Sequence, residues 1–154
     1  MQRPCRRAVL PVILSFFMGS PAYGLDAAVK VEIRVVQSPV KNNEEFPIST
    51  AIRNVGGGQQ TLGIWSCSYP EQWTADNPAV HIAVAACNKN DVVTVKLKPG
   101  EAYERTLSIH IETVAKHHEQ KPITFRLGFQ SASRMKTQDN PVVWSNALTV
   151  SVLE

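Results

Sequence analysis

The sequence lacks the marks of the familiar enzyme classes. There is no HExxH, no GxSxG and no glycine-rich loop running from a strand into a helix. The GGG at 56–58 leads into an apolar alternation, so it is a turn rather than a phosphate cradle. Three methionines are too few for a methionine-rich copper motif. Glu101 and Glu104 flank a turn, and Glu44 and Glu45 precede a strand, where carboxylates belong to solvated surface. Ser66 and Ser68 flank Cys67 with no nucleophile signature around them. The chain therefore reads as non-enzymatic, with no cofactor implied.

Charge of one sign is also missing once the N-terminus is set aside. The chain opens MQRPCRRAVLPVILSFFMGSPAYG, with Arg3, Arg6 and Arg7 before an apolar run from Ala8 to Met18. Ala22 and Gly24 occupy the −3 and −1 positions of a cleavage after Gly24. This is the pattern of a signal peptide over residues 1–24. The run is shorter than the ~20 apolar residues of a spanning helix, and Pro11 interrupts it. No membrane span is expected after cleavage, and the product is expected to be exported, periplasmic or secreted. The whole chain carries 16 basic and 13 acidic residues. Removing three arginines and no acid leaves 13 against 13, so no electrostatic footprint for nucleic acid remains.

Cysteine is scarce: Cys5 leaves with the signal, and only Cys67 and Cys87 remain. Two cysteines in an exported domain are most simply a disulfide, closing a loop of about 20 residues. A nucleophilic Cys67 would need a histidine base and a reducing compartment.

What the remaining residues 25–154 do show is alternation of period two, punctuated by turns. Val29, Val31, Ile33 and Val35 share one face, as do Phe46, Ile48, Thr50 and Ile52. The pattern continues through Leu62 and Ile64; Val80, Ile82 and Val84; Val93, Val95 and Leu97; and Leu107, Ile109 and Ile111. Ile123, Phe125, Leu127 and Phe129, then Leu148, Val150 and Val152, complete about eight short strands, with no convincing helix. Half-polar strands suit antiparallel sheets with one wet face. The expected fold is all-β, a single immunoglobulin-like antiparallel β-sandwich of 7–8 strands, with a closed β-barrel as the alternative.

Turn chemistry adds a resemblance. An asparagine-glycine turn at 54–58, then Leu97, Pro99, Gly100, Glu101 and Tyr103, and a closing Trp144-Ser145-Asn146 before Leu148, Val150 and Val152, resemble small bacterial sandwich domains of the BsuPI-type proteinase-inhibitor class. The resemblance spans most of residues 25–154. It implies the sandwich fold and, at one further remove, engagement of a protease.

Aromatics are sparse, 7 % of the chain, yet they crowd into IWSCSYPEQW at 64–73. Tyr69, Pro70 and Trp73, anchored by Cys67, form the candidate surface for a protein partner, because rigid aromatics lose little rotamer entropy on binding. The bland alternative has Trp73 plugging the core. Four histidines supply weaker metal candidates. His81 and His110 lie in the outward phase of their strands and could meet across a sheet, a metal or proton-sensing pair. His117 and His118 are adjacent, and side chains of neighbouring strand residues diverge.

Overall fold

A computed structural model describes residues 28–36, 38–113, 121–133 and 140–153. The expected signal peptide, His117 and His118 lie outside the described residues.

The period-two pattern builds a first layer by antiparallel pairing. Strand β1 (Val29–Val35) pairs with β3 (Phe46–Asn54), β3 with β8 (Ala102–Ile111), and β8 with β6 (Val80–Ile82). Val31 opposes Ile52, and Ile48 opposes Leu107, so the apolar rows align on one face. The order β1-β3-β8-β6 is that of the four-stranded A-B-E-D sheet of constant-type immunoglobulin domains.

The facing layer is made of shorter pieces. Strand β4 (Gln60–Trp65) pairs with β7 (Val92–Leu97), and β10 (Leu127–Gln130) lies between β11 (Val142–Trp144) and β5 (Trp73–Ala75). Strand β12 (Leu148–Leu153) pairs with β9 (Lys121–Phe125) and, in parallel, with β2 (Val40–Lys41). Ala132 N–H donates to Gly63 O at 2.8 Å, and Gly63 N–H to Ser131 Oγ at 2.9 Å, which joins β4 to the end of β10. A Cβ on Gly63 would sit 2.9 Å from the Ala132 carbonyl carbon, so only glycine permits this approach.

Between the layers Ile48, Ile52, Leu107 and Ile109 meet Leu62, Phe125, Leu127 and Phe129 in one apolar cluster. Each such side chain contributes about 1.5–3 kcal/mol by leaving water. Polar side chains close the gaps in the ladders. Asn54, fully buried, donates to Gly58 O at 2.8 Å and Leu97 O at 2.9 Å and accepts from Gly56 N–H, fixing the glycine turn. Asn146 exchanges bonds with both backbone groups of Ile33, at 2.9 and 3.2 Å, and so acts as a strand partner for β1.

The all-β sandwich is thus the fold. A closed barrel is excluded because β6 and β7 end their sheets without a further strand among the described residues. The expected eight strands become twelve among the described residues, because turns and partner switches break the longer runs. Arg126, for example, separates β9 from β10, which pair with different neighbours. Val84, expected inside, is exposed, since β6 stops at Ile82 and the chain leaves the sheet toward Cys87.

Candidate functional site

The aromatic segment begins where β4 runs out. A 3-10 turn over Tyr69–Gln72, started by Pro70, folds the chain back into β5. Its stability depends on Gln72, which is almost completely buried. The Gln72 amide accepts from Trp65 N–H at 2.8 Å and donates to Gly63 O and Gln130 O, both at 2.9 Å. The side chain fills the place of a missing peptide group between β4 and β10.

The disulfide holds the other end. Cys67 and Cys87 are bonded, with Cα atoms 5.9 Å apart and a sequence separation of 20. Asn90 reinforces the link: its Oδ1 accepts from Cys67 N–H at 3.3 Å and Ser68 N–H at 3.4 Å, and its Nδ2 donates to Ser68 Oγ. Ser66 N–H donates to Asp91 O at 2.9 Å, which aligns the end of β4 with the start of β7.

The three residues expected to meet a partner separate in the structure. Trp73 is only 6 % exposed and packs on Phe129 at 5.2 Å between ring centroids. It belongs to the core, and its Nε1 has no hydrogen-bond partner among the described residues. Tyr69 is half-buried, edge-on to Trp73 at 5.9 Å and to Tyr103 at 6.0 Å. Burial pushes the Tyr69 phenol up to about 12, against the lowering effect of its hydrogen bond with the Thr50 hydroxyl at 3.2 Å. Thr50, the one hydroxyl of the inward row of β3, donates its proton to Arg105 O at 2.9 Å, which accounts for its burial. Pro70 stays partly accessible beside them.

Tyr69 and Pro70 help to wall a groove of about 450 Å³ along the side of the sandwich. Trp65, Tyr69 and Pro70 stand on one side, Val93 and Val95 of β7 on another, and Tyr103 and Arg105 of β8 complete it. Arg105 Nε donates to the Tyr103 hydroxyl at 2.8 Å, and its guanidinium lies 5.3 Å over that ring. Val93 is 49 % exposed, although its alternation points it inward, because the sandwich is open there. The sequence did not mark Trp65, Val93, Tyr103 or Arg105 as partner-binding residues; only the fold reveals that they share a wall with Tyr69.

The groove lies between two strand edges. The Ser66–Asp91 bond fixes the phase of the β4–β7 ladder, so Thr94 and Lys96 turn their backbone groups away from β4. On β8, Ala83 N–H donates to Ser108 O, so the even-numbered residues face the β6 side. Strand β6 pairs only with Ile109 to Ile111, and residues 102–106 have no strand on that side among the described residues.

Across the molecule, His81 and His110 are directly paired on the outer face of the first layer. Their rings stack with centroids 5.0 Å apart and an interplanar angle of 19°. Among the described residues, no three His, Cys, Asp or Glu side chains already converge as a metal cluster, and no helix is long and apolar enough to cross a membrane.

Comparison with known proteins yields no matching family model and no matching curated protein. A solved structure of native alpha-2-macroglobulin from Escherichia coli, spanning domain MG7 to the C-terminus, is similar at 13 % identity with a TM-score of 0.45. The match covers 84 % of this chain and 17 % of that one.

Proposed function

We propose that the protein is an exported, non-enzymatic binding domain that takes an extended segment of a protein partner into the groove between β7 and the first half of β8. The carrying observation is the juxtaposition of two strand edges, which have no neighbouring strand among the described residues, with an aromatic groove between them. Unpaired edges offer donors and acceptors in a row, and an extended segment satisfies them by strand addition. Trp65, Tyr69, Tyr103 and Val93 would take alternate apolar side chains of that segment, and Arg105 favours an acidic residue within it. The disulfide and the Asn90 clamp keep the wall rigid, which lowers the ordering cost of binding. The disulfide also fits an oxidising, extracytoplasmic setting.

A proteinase inhibitor of the loop-insertion kind would present an exposed anchor, and Trp73 is buried. A receptive edge is therefore favoured over a loop thrust into a protease. The test is selection of peptides from a random display library on the whole protein, followed by rebinding to Thr94→Pro. Proline on an edge strand removes one outward N–H at small structural cost. Selected peptides should bind the parent and lose at least tenfold affinity for Thr94→Pro at unchanged melting temperature. Equal binding to both proteins, or no peptide selected at all, would refute strand addition at β7.

A further inference from the structure

The outer face of β6 and β8 carries a constellation that the groove does not use. His81 and His110 are register partners on adjacent antiparallel strands, and their rings already stack at 5.0 Å. Glu112, just past the end of β8, places its Oε2 3.8 Å from His81 Nε2. On the far side, Phe46 opposes Ile109, and the carboxylate of the preceding Glu45 accepts from Ser108 Oγ at 2.6 Å. Two stacked imidazoles thus lie on a solvent-accessible sheet face, with the Glu112 carboxylate beside His81, although the three do not yet converge on one point.

We propose that His81, His110 and Glu112 form a surface site for a borderline divalent cation of the zinc, nickel or copper type. Imidazole nitrogen and carboxylate oxygen are the ligand types these ions take, whereas calcium and magnesium prefer all-oxygen sets. Two nitrogens bound to one tetrahedral zinc ion stand roughly 3.3 Å apart, from Zn–N distances of ~2.0–2.1 Å. The site requires the stacked rings, now 5.0 Å apart between centroids on register-paired residues, to rotate until their nitrogens reach that spacing. Glu112, 63 % exposed, swings from its contact with His81 to the ion, and water completes the sphere. Glu45, held by Ser108, stays outside the ligand set and adds negative potential. Three protein ligands with an open position make an exchangeable site rather than a permanently loaded structural one. The ion would tie β6, paired to the layer over only three residues, to β8.

The test is calorimetric titration of the whole protein with zinc, together with nuclear magnetic resonance of the histidine ring protons during addition of copper as a paramagnetic probe. One equivalent should bind in the micromolar range, and copper should broaden the His81 and His110 ring signals first. His81→Ala and His110→Ala should each weaken zinc binding at least tenfold, and Glu112→Gln severalfold. A His117→Ser, His118→Ser double variant should bind like the parent. Zinc affinity unchanged in His81→Ala, affinity lost only in the His117, His118 double variant, or no binding up to millimolar zinc would each overturn the site.

Discussion

Replacing Gln72 tests the view that one side-chain amide completes the backbone of the candidate site. Its three hydrogen bonds reach Trp65 N–H, Gly63 O and Gln130 O. Removing them does not orphan all three groups, because Gly63 O keeps the bond from Ala132 N–H. Trp65 N–H faces away from β7, so it and Gln130 O lose the bonds that the nearly buried Gln72 side chain supplies. An unsatisfied buried group costs about 1–3 kcal/mol, so Gln72→Leu, which roughly keeps the volume, should lose about 2–5 kcal/mol. Gln72→Ala should lose somewhat more through the cavity it leaves. The assay is urea unfolding, read as a fall in midpoint at unchanged slope. Gln72→Glu sharpens the test. Its carboxylate still accepts from Trp65 N–H but presents an oxygen to two carbonyl oxygens, and protonation restores a donor. That variant should recover stability relative to the parent in acid and lose it toward neutrality. A Gln72→Leu loss below about 1 kcal/mol, or a Gln72→Glu variant indifferent to pH, would refute the role assigned to this amide.

Other outcomes follow from the same geometry. A Cys67→Ala, Cys87→Ala double variant should lose about 3 kcal/mol in urea unfolding, the loop-entropy value for 20 residues; a loss near zero would mean that Asn90 alone holds the segment. Spectrophotometric titration should find one tyrosine ionising near pH 12, and Tyr69→Phe should remove it. Because folding raises that pKa above its ordinary value, the associated stability is complete below the unfolded pKa of about 10 and is lost between there and about 12. Gly63→Ala should fail to fold or lose several kcal/mol, about 3 or more, since its Cβ meets backbone that cannot rotate away; a soluble variant with parental melting temperature would contradict the close approach of β4 and Ala132.

The strands were legible because each carries its own period. Val31, Ile33, Ile48, Ile52, Leu107 and Ile109 announce their inward face without reference to any other strand, and all are buried. The turn at 54–58 could be located from its glycines, yet the buried amide of Asn54 that secures it could not, since its partners lie as far away as Leu97. Gln72 and Asn146 were invisible for the same reason: a polar residue in a loop looks solvated until the fold supplies two strands for it to bridge. The aromatic cluster stood out in the sequence but its division did not. Trp73 turns inward because it opens β5 opposite Phe129, and that pairing is set by register rather than by composition. Register also brings His81 to His110, which phase alone left open.

The most direct test of the central claim is backbone amide hydrogen exchange, residue by residue, of the protein with and without a selected peptide. Strand addition predicts new protection at Thr94 and Lys96 or at Glu104 and Thr106, the residues whose backbone groups face the groove. Protection confined to the outer face around Ser49 and Arg53, or a bound peptide that leaves both edges exchanging as before, would contradict it.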